Sequence, residues 1–82
     1  MKISFNSSSQ KNLIGGQIRE MRTGRKLSQR DMAAQLKDKG YGFNALTILR
    51  IEKGQRLVTD IELKILCEFF QVSPDKLLGF GS

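Results

Sequence analysis

Between residues 27 and 54 the sequence writes two helix starts with a turn between them, and this stretch constrains the fold more than any other. Ser28 offers a hydroxyl to the free amides of a first helical turn, and Asp31, three residues on, can reach back to the amide of Ser28. Leu27, just outside, is placed to pack on Met32, just inside. Asn44 repeats the arrangement, with Phe43 placed to staple onto Ile48. The helix that Asn44 opens should stop at Gly54, where a residue free to take positive φ is wanted.

Apolar spacing along the rest of the chain extends this to an all-α domain of five helices. The first is expected over about residues 13–25, with Asn12 as a cap and Ile14, Ile18 and Met21 on one face, although Gly15 and Gly16 weaken its start. The second is expected from residue 29 to about residue 37, burying Met32, Ala33 and Leu36. The third is expected from residue 45 to about residue 53, burying Ile48 and Ile51. In the fourth, Thr59 and Glu62 form a capping box, Val58 staples to Leu63, and Leu66, Cys67 and Phe70 continue the apolar face. Ser73 caps the fifth, with Pro74 at the first helical position and Leu77 and Leu78 inside. Residues 46–51 are apolar enough to be ambiguous in isolation, but no strand-like alternation competes elsewhere. Residues 1–12 read as a flexible polar N-terminal arm rather than a signal peptide, and residues 13–80 as one domain.

Composition narrows the chemistry. The 82 residues hold no histidine and one cysteine, Cys67, so no intramolecular disulfide can form, and a transition-metal site or a histidine-based catalytic centre is nearly excluded. No segment is apolar enough to span a membrane, and a reducing cytoplasm is the simplest compartment. The formal net charge is +6, unevenly spread. Lys11, Arg19, Arg22, Arg25, Lys26 and Arg30 crowd the first helix and the approach to the second, whereas beyond Thr59 the acids Asp60, Glu62, Glu68 and Asp75 outnumber Lys64 and Lys76. A phosphate-facing end and a turned-away end would produce this asymmetry, and so would a basic surface that only aids solubility. The two capped helices favour the first explanation. Such a pair suggests a helix-turn-helix, which in its DNA-binding form lays its second helix in the major groove.

The chain also resembles the lambda-repressor-like, Cro and Xre-type helix-turn-helix regulators. The resemblance rests on Ile18-Arg19-Glu20-Met21-Arg22, Leu27-Ser28-Gln29-Arg30-Asp31-Met32-Ala33, Ile48-Leu49-Arg50-Ile51-Glu52-Lys53-Gly54 and Val72-Ser73-Pro74-Asp75-Lys76-Leu77-Leu78. It implies a five-helix DNA-binding domain in which helices two and three form the helix-turn-helix. Residues 37–42 make the turn longer than the usual tight one, which leaves the angle between those helices open.

Residue by residue, the resemblance implies phosphate contacts for Gln29, Asn44 and Thr47. A first-turn Gln29 at a helix N-terminus suits an anion, but it could also be a plain exposed polar residue. Asn44 and Thr47 could serve only as cap and first-turn residue. Lys53 and Arg56, with Arg25, are further phosphate candidates just beyond helix ends, while Glu20 and the acids of the fourth helix read as solvated or as helix-dipole partners. Ala45, Leu46, Leu49 and Arg50 match positions that look toward base edges in related repressors. Arg50 could grip a guanine through O6 and N7, and Ala45 and Leu46 could touch a thymine methyl, whereas Leu49 is as readily core as groove. Arg22 and Glu52 match a pair that joins the first helix to the end of the third. A bidentate guanidinium–carboxylate contact would lock that angle, and two separate surface charges would do little.

These residues lead to a sequence-specific DNA-binding transcriptional regulator, expected to repress by occupying an operator in double-stranded DNA as a homodimer. The apolar third helix keeps a second reading alive, a helix-turn-helix that binds protein, as an antitoxin-like neutraliser or an adaptor. An enzyme is disfavoured, since no acid/base pair, metal set, phosphate loop or activated nucleophile assembles from these residues, and no cofactor or small-molecule ligand is evident. Dimer contacts are expected from the last two helices and the tail, because Phe69, Phe70, Leu78 and Phe80 exceed what so small a core needs.

Overall fold

The computed structural model describes residues 10–80. These residues form five helices: α1 (Gly15–Gly24), α2 (Gln29–Asp38), α3 (Ala45–Glu52), α4 (Asp60–Phe70) and α5 (Pro74–Leu78). No strand occurs among the described residues.

Side-chain caps set four of the five starts. Ser28 Oγ accepts from the Asp31 amide at 2.9 Å while Asp31 Oδ2 accepts from the Ser28 amide at 3.1 Å, closing a capping box. That amide holds the Asp31 carboxyl below the usual carboxylate range. Thr59 and Glu62 close a second box at 3.1 and 3.0 Å. Asn44 Oδ1 accepts from the Thr47 amide at 2.8 Å, and Ser73 Oγ accepts from the Lys76 amide at 3.3 Å, with Pro74 at the head of α5.

The first helix is shorter than its apolar pattern implies. It begins at Gly15, leaving Leu13 73% exposed, and ends at Gly24 with Arg25 beyond it. Asn12 still satisfies its first turn, its Oδ1 accepting from the amides of Ile14 and Gly15 at 3.0 and 2.8 Å. Asn12 therefore belongs to the folded domain. So does Lys11, whose amide donates to Gly54 O at 2.8 Å. Residues 1–9 of the expected arm lie outside the described residues.

The core forms where α3 meets α1 and α2 and where α4 meets α5. Ile18, Met32, Leu36, Ile48, Ile51, Leu66 and Leu77 are essentially sealed, with Ile14, Phe43 and Cys67 beside them. Burial of this kind contributes about 1.5–3 kcal/mol for each large aliphatic side chain, before chain entropy is set against it. The long turn joins this core instead of looping away. Gly40 N donates to Lys37 O and Tyr41 N to Leu36 O, both at 2.9 Å, the paired bonds that close a helix C-terminus. Tyr41 then packs on the core and Phe43 is buried. The additional residues thus bring their own apolar anchors.

One expectation fails at the other end. Phe69 and Phe70 are buried at 7% and 4% exposure, so they are not spare surface for a partner. Their rings meet edge to face at 5.0 Å, and Arg25 lies over both, 5.6 and 5.1 Å from the two centroids. The Arg25 guanidinium also donates to Phe69 O at 3.2 Å and Phe70 O at 3.1 Å, capping the final carbonyls of α4. A cation committed to two rings and two carbonyls is not a free phosphate ligand, which corrects the expectation of a phosphate contact for Arg25. Leu78 is half-buried, and Phe80 stays exposed together with Leu57 and Ile61.

Candidate nucleic-acid interface

The expected pair between Arg22 and Glu52 is formed and is two-pronged. Arg22 Nε donates to Glu52 Oε2 at 2.6 Å and a terminal nitrogen donates to Oε1 at 2.9 Å, with the side chains only 10% and 3% exposed. The remaining terminal nitrogen donates to Leu27 O at 2.8 Å, so one guanidinium joins α1, the α1–α2 turn and the last residue of α3. The bond to Glu52 makes Arg22 harder still to deprotonate.

Gln29 enters the same network, its Nε2 donating to Glu52 Oε1 at 3.1 Å. Its amide is thereby oriented at the head of α2 and half-buried, unlike a loose first-turn residue. Around it opens a surface cleft of about 590 Å³, lined by Arg19, Arg22, Ser28, Gln29, Leu49, Glu52 and Lys53. Arg22 compensates the charge of Glu52, whereas Arg19 and Lys53 are exposed and make no ion pair among the described residues. The residues lining the cleft therefore carry a net positive charge. Leu49, open to either core or groove from the sequence, lies half-buried on the wall of this cleft.

The outward face of α3 is set by which residues the core takes. Ile48 and Ile51 are sealed, so Leu46 and Arg50, four apart on the opposite side, share an exposed row. Leu46 is 49% exposed, and Ala45 is half-buried beside it. Asn44 and Thr47 are occupied with each other: Asn44 Oδ1 takes both the Thr47 amide and, at 3.0 Å, its hydroxyl. Their capping role is thus visible, and a phosphate contact would be additional to it.

Arg56 departs from expectation. Its two terminal nitrogens donate to the two carboxylate oxygens of Glu62 at 3.0 and 3.1 Å, so it pairs with the fourth helix and is not an open cation beyond α3. Glu62, expected to be solvated or to serve the helix dipole, both closes its capping box and holds this arginine. The arginine, with the Thr59 amide assisting, keeps the Glu62 carboxyl below the usual carboxylate range.

Two contacts that fix α3 were not foreseen as such. Asn12 Nδ2 donates to Ile51 O at 3.1 Å and to Arg56 O at 2.9 Å, tying the start of the domain to the loop leaving α3. Gly15 is the second. A Cβ there would collide with the carbonyl oxygen of Ile51 and come within 2.9 Å of Glu52 O, so only a glycine lets α1 approach the end of α3 this closely. The glycine at position 15 reads in sequence as a weak helix start because the backbone it meets is 36 residues further on. Gly54, expected at positive φ, has φ +70°.

This clamped pair of helices meets its match among known proteins. The family profile described as helix-turn-helix matches residues 18–77. The chain belongs to the helix-turn-helix family. Among solved structures, this helix-turn-helix chain is similar to the crystal structure of the DNA-binding domain of BldD. The two share 30% identity with a TM-score of 0.71, over 88% of this chain and 97% of that one. No curated protein sequence matches. No helix among the described residues is long and apolar enough to cross a membrane.

Proposed function

We propose that this protein is a DNA-binding transcriptional regulator that docks α3 in the major groove of double-stranded DNA and represses by occupying its operator as a homodimer in the cytoplasm. The observation that carries this reading is the cleft at the head of α2. It brings the oriented Gln29 amide, the cations Arg19 and Lys53 and a helix N-terminus to one place beside the exposed row of α3. Membership of the helix-turn-helix family and the likeness to a DNA-binding domain support it.

In this docking Gln29, Lys53 and Arg19 hold phosphates, with Asn44 and Thr47 at the opposite end of α3. Ala45, Leu46, Leu49 and Arg50 face the bases, and Arg50 grips a guanine through O6 and N7. Arg56 leaves the phosphate set because Glu62 holds it. The exposed Leu46 gives the protein-binding alternative its one specific support.

A salt titration of binding to random duplex DNA separates the two. Each phosphate neutralised should add about 0.9 to the slope of log affinity against log salt, so Arg19 and Lys53 alone require a clear dependence. Affinity for duplex DNA that is absent or indifferent to salt, beside tight binding to a protein, would replace this reading with the alternative. Replacing Arg50 with alanine should cost about 1–3 kcal/mol on the preferred duplex and relax choice at one base pair.

A further inference from the structure

The exposed row of α3 has a one-sided chemistry. Ala45, Leu46 and Leu49 carry no polar side-chain atom, the Thr47 hydroxyl donates to Asn44, and Asn44 Oδ1 is taken up as a cap. Within Ala45, Leu46, Leu49 and Arg50 only Arg50 offers hydrogen-bond donors, and no carboxylate or carboxamide among the four could accept from a base amino group.

The four bases differ in the major groove by such amino groups, by their acceptors and by the C5-methyl of thymine. Without an acceptor, Leu46 cannot test whether a pyrimidine carries the O4 of thymine or the amino group of cytosine at position 4. What it can test is the methyl group on C5, which 5-methylcytosine presents at the same place in the groove. Leu46 and Arg50 are four residues apart on one face, which puts their Cβ atoms about 6 Å from one another. That is one to two base steps at about 3.4 Å each. A guanine held by Arg50 and a methylated pyrimidine under Leu46 are thus near neighbours in one site.

Resting on the DNA-binding reading above, we infer that α3 recognises C5-methylated pyrimidines as a class. A 5-methylcytosine beside the guanine held by Arg50 then substitutes for thymine, and binding responds to cytosine methylation of the operator. The ligand is duplex DNA carrying a C5-methyl in the major groove.

The test starts from the preferred duplex recovered from a randomised pool. At the pyrimidine whose methyl matters, four versions are compared: thymine, uracil, 5-methylcytosine and unmodified cytosine. Wild type should bind thymine over uracil, and 5-methylcytosine over cytosine, by the same factor of about three to five, the worth of one methyl group taken from water. Leu46→Ala should bring both ratios to about one and keep the guanine preference that Arg50 supplies. Preference for thymine over uracil with none for 5-methylcytosine over cytosine would overturn the inference, since the polar edge would then be read. Both ratios at one across every pyrimidine of the site would overturn it too, while leaving DNA binding intact. A wild type that binds no duplex would instead bring down the DNA-binding reading and this inference with it.

Discussion

Two arginine–glutamate forks hold this molecule, alike in their two-pronged geometry and unlike in their exposure to water. Arg22 meets Glu52, and Arg56 meets Glu62, each with two nitrogens on two oxygens. The first pair is 10% and 3% exposed, the second 33% and 22%. The first sits where three helices converge and has a third bond to Leu27 O, with Gln29 sharing its carboxylate. The second lies at the rim, between the loop after α3 and the start of α4. Geometry alone therefore does not say what such a pair contributes. Burial does, because a charge left alone in a dry place has no solvent to turn to.

The sharpest way to test that contrast is to remove one acid at a time. Glu52→Ala strands a buried guanidinium and unhooks Gln29, and should cost about 3–5 kcal/mol, much of the stability of a small domain. Urea melts of the two proteins measure it, and a midpoint near that of wild type would make the buried fork no better than a surface pair. Next in size is Gly15→Ala, expected to cost about 1–3 kcal/mol by forcing α1 off the end of α3. If the clash acts through the first fork, Gly15→Ala combined with Glu52→Ala should cost less than the sum of the two single losses. Arg56→Ala should cost less than about 1 kcal/mol, as rim pairs do, and should leave the salt slope of DNA binding unchanged, whereas Lys53→Ala should flatten it.

The smallest effect is on pH. Glu62 has its pKa lowered in the fold, first by the bond from Arg56 and against some desolvation, so it binds a proton less readily folded than unfolded. Its contribution is accordingly present above the unfolded carboxylate pKa, about 4.3, and is lost as pH falls through the lower folded value. Glu62→Gln should flatten the acid limb of a stability-versus-pH curve in that window. An acid limb identical to that of wild type would mean the rim fork adds nothing even there.

The same contrast explains which contacts are legible in the sequence. Helix starts are local. Ser28 with Asp31, Thr59 with Glu62 and Asn44 with Thr47 each lie three residues apart, so their bonds follow from spacing. The buried fork, 30 residues apart, was within reach only because the chain resembles relatives in which such a pair recurs. Where neither help applied, reading failed. Arg25 looked like an open cation and the two phenylalanines like spare surface, because nothing within a few residues shows that Arg25 bonds to Phe69 O, 44 positions on. The pairing of Arg56 is a different case: Glu62 is near in sequence, but its capping motif already accounts for it. Gly15 and Asn12 show the same limit from the side of the backbone, since what each touches lies across the fold. The site divides accordingly. The exposed row of α3 follows from helical periodicity, whereas the cleft is assembled by contacts between three helices and had no trace in spacing.

Cys67 gives this architecture an internal clock. Its thiol is the one cysteine of the sequence, 7% exposed on α4, and burial, with Glu68 nearby, pushes its pKa up. Only the thiolate attacks a thiol reagent, so in the closed fold the nucleophile is both hidden and scarce. Labelling then proceeds through transient opening of the core around α4, and its rate counts those openings under native conditions. Loosening the buried fork should quicken that count only if the α1–α3 joint and α4 open together. An unchanged rate would show that they breathe as separate units.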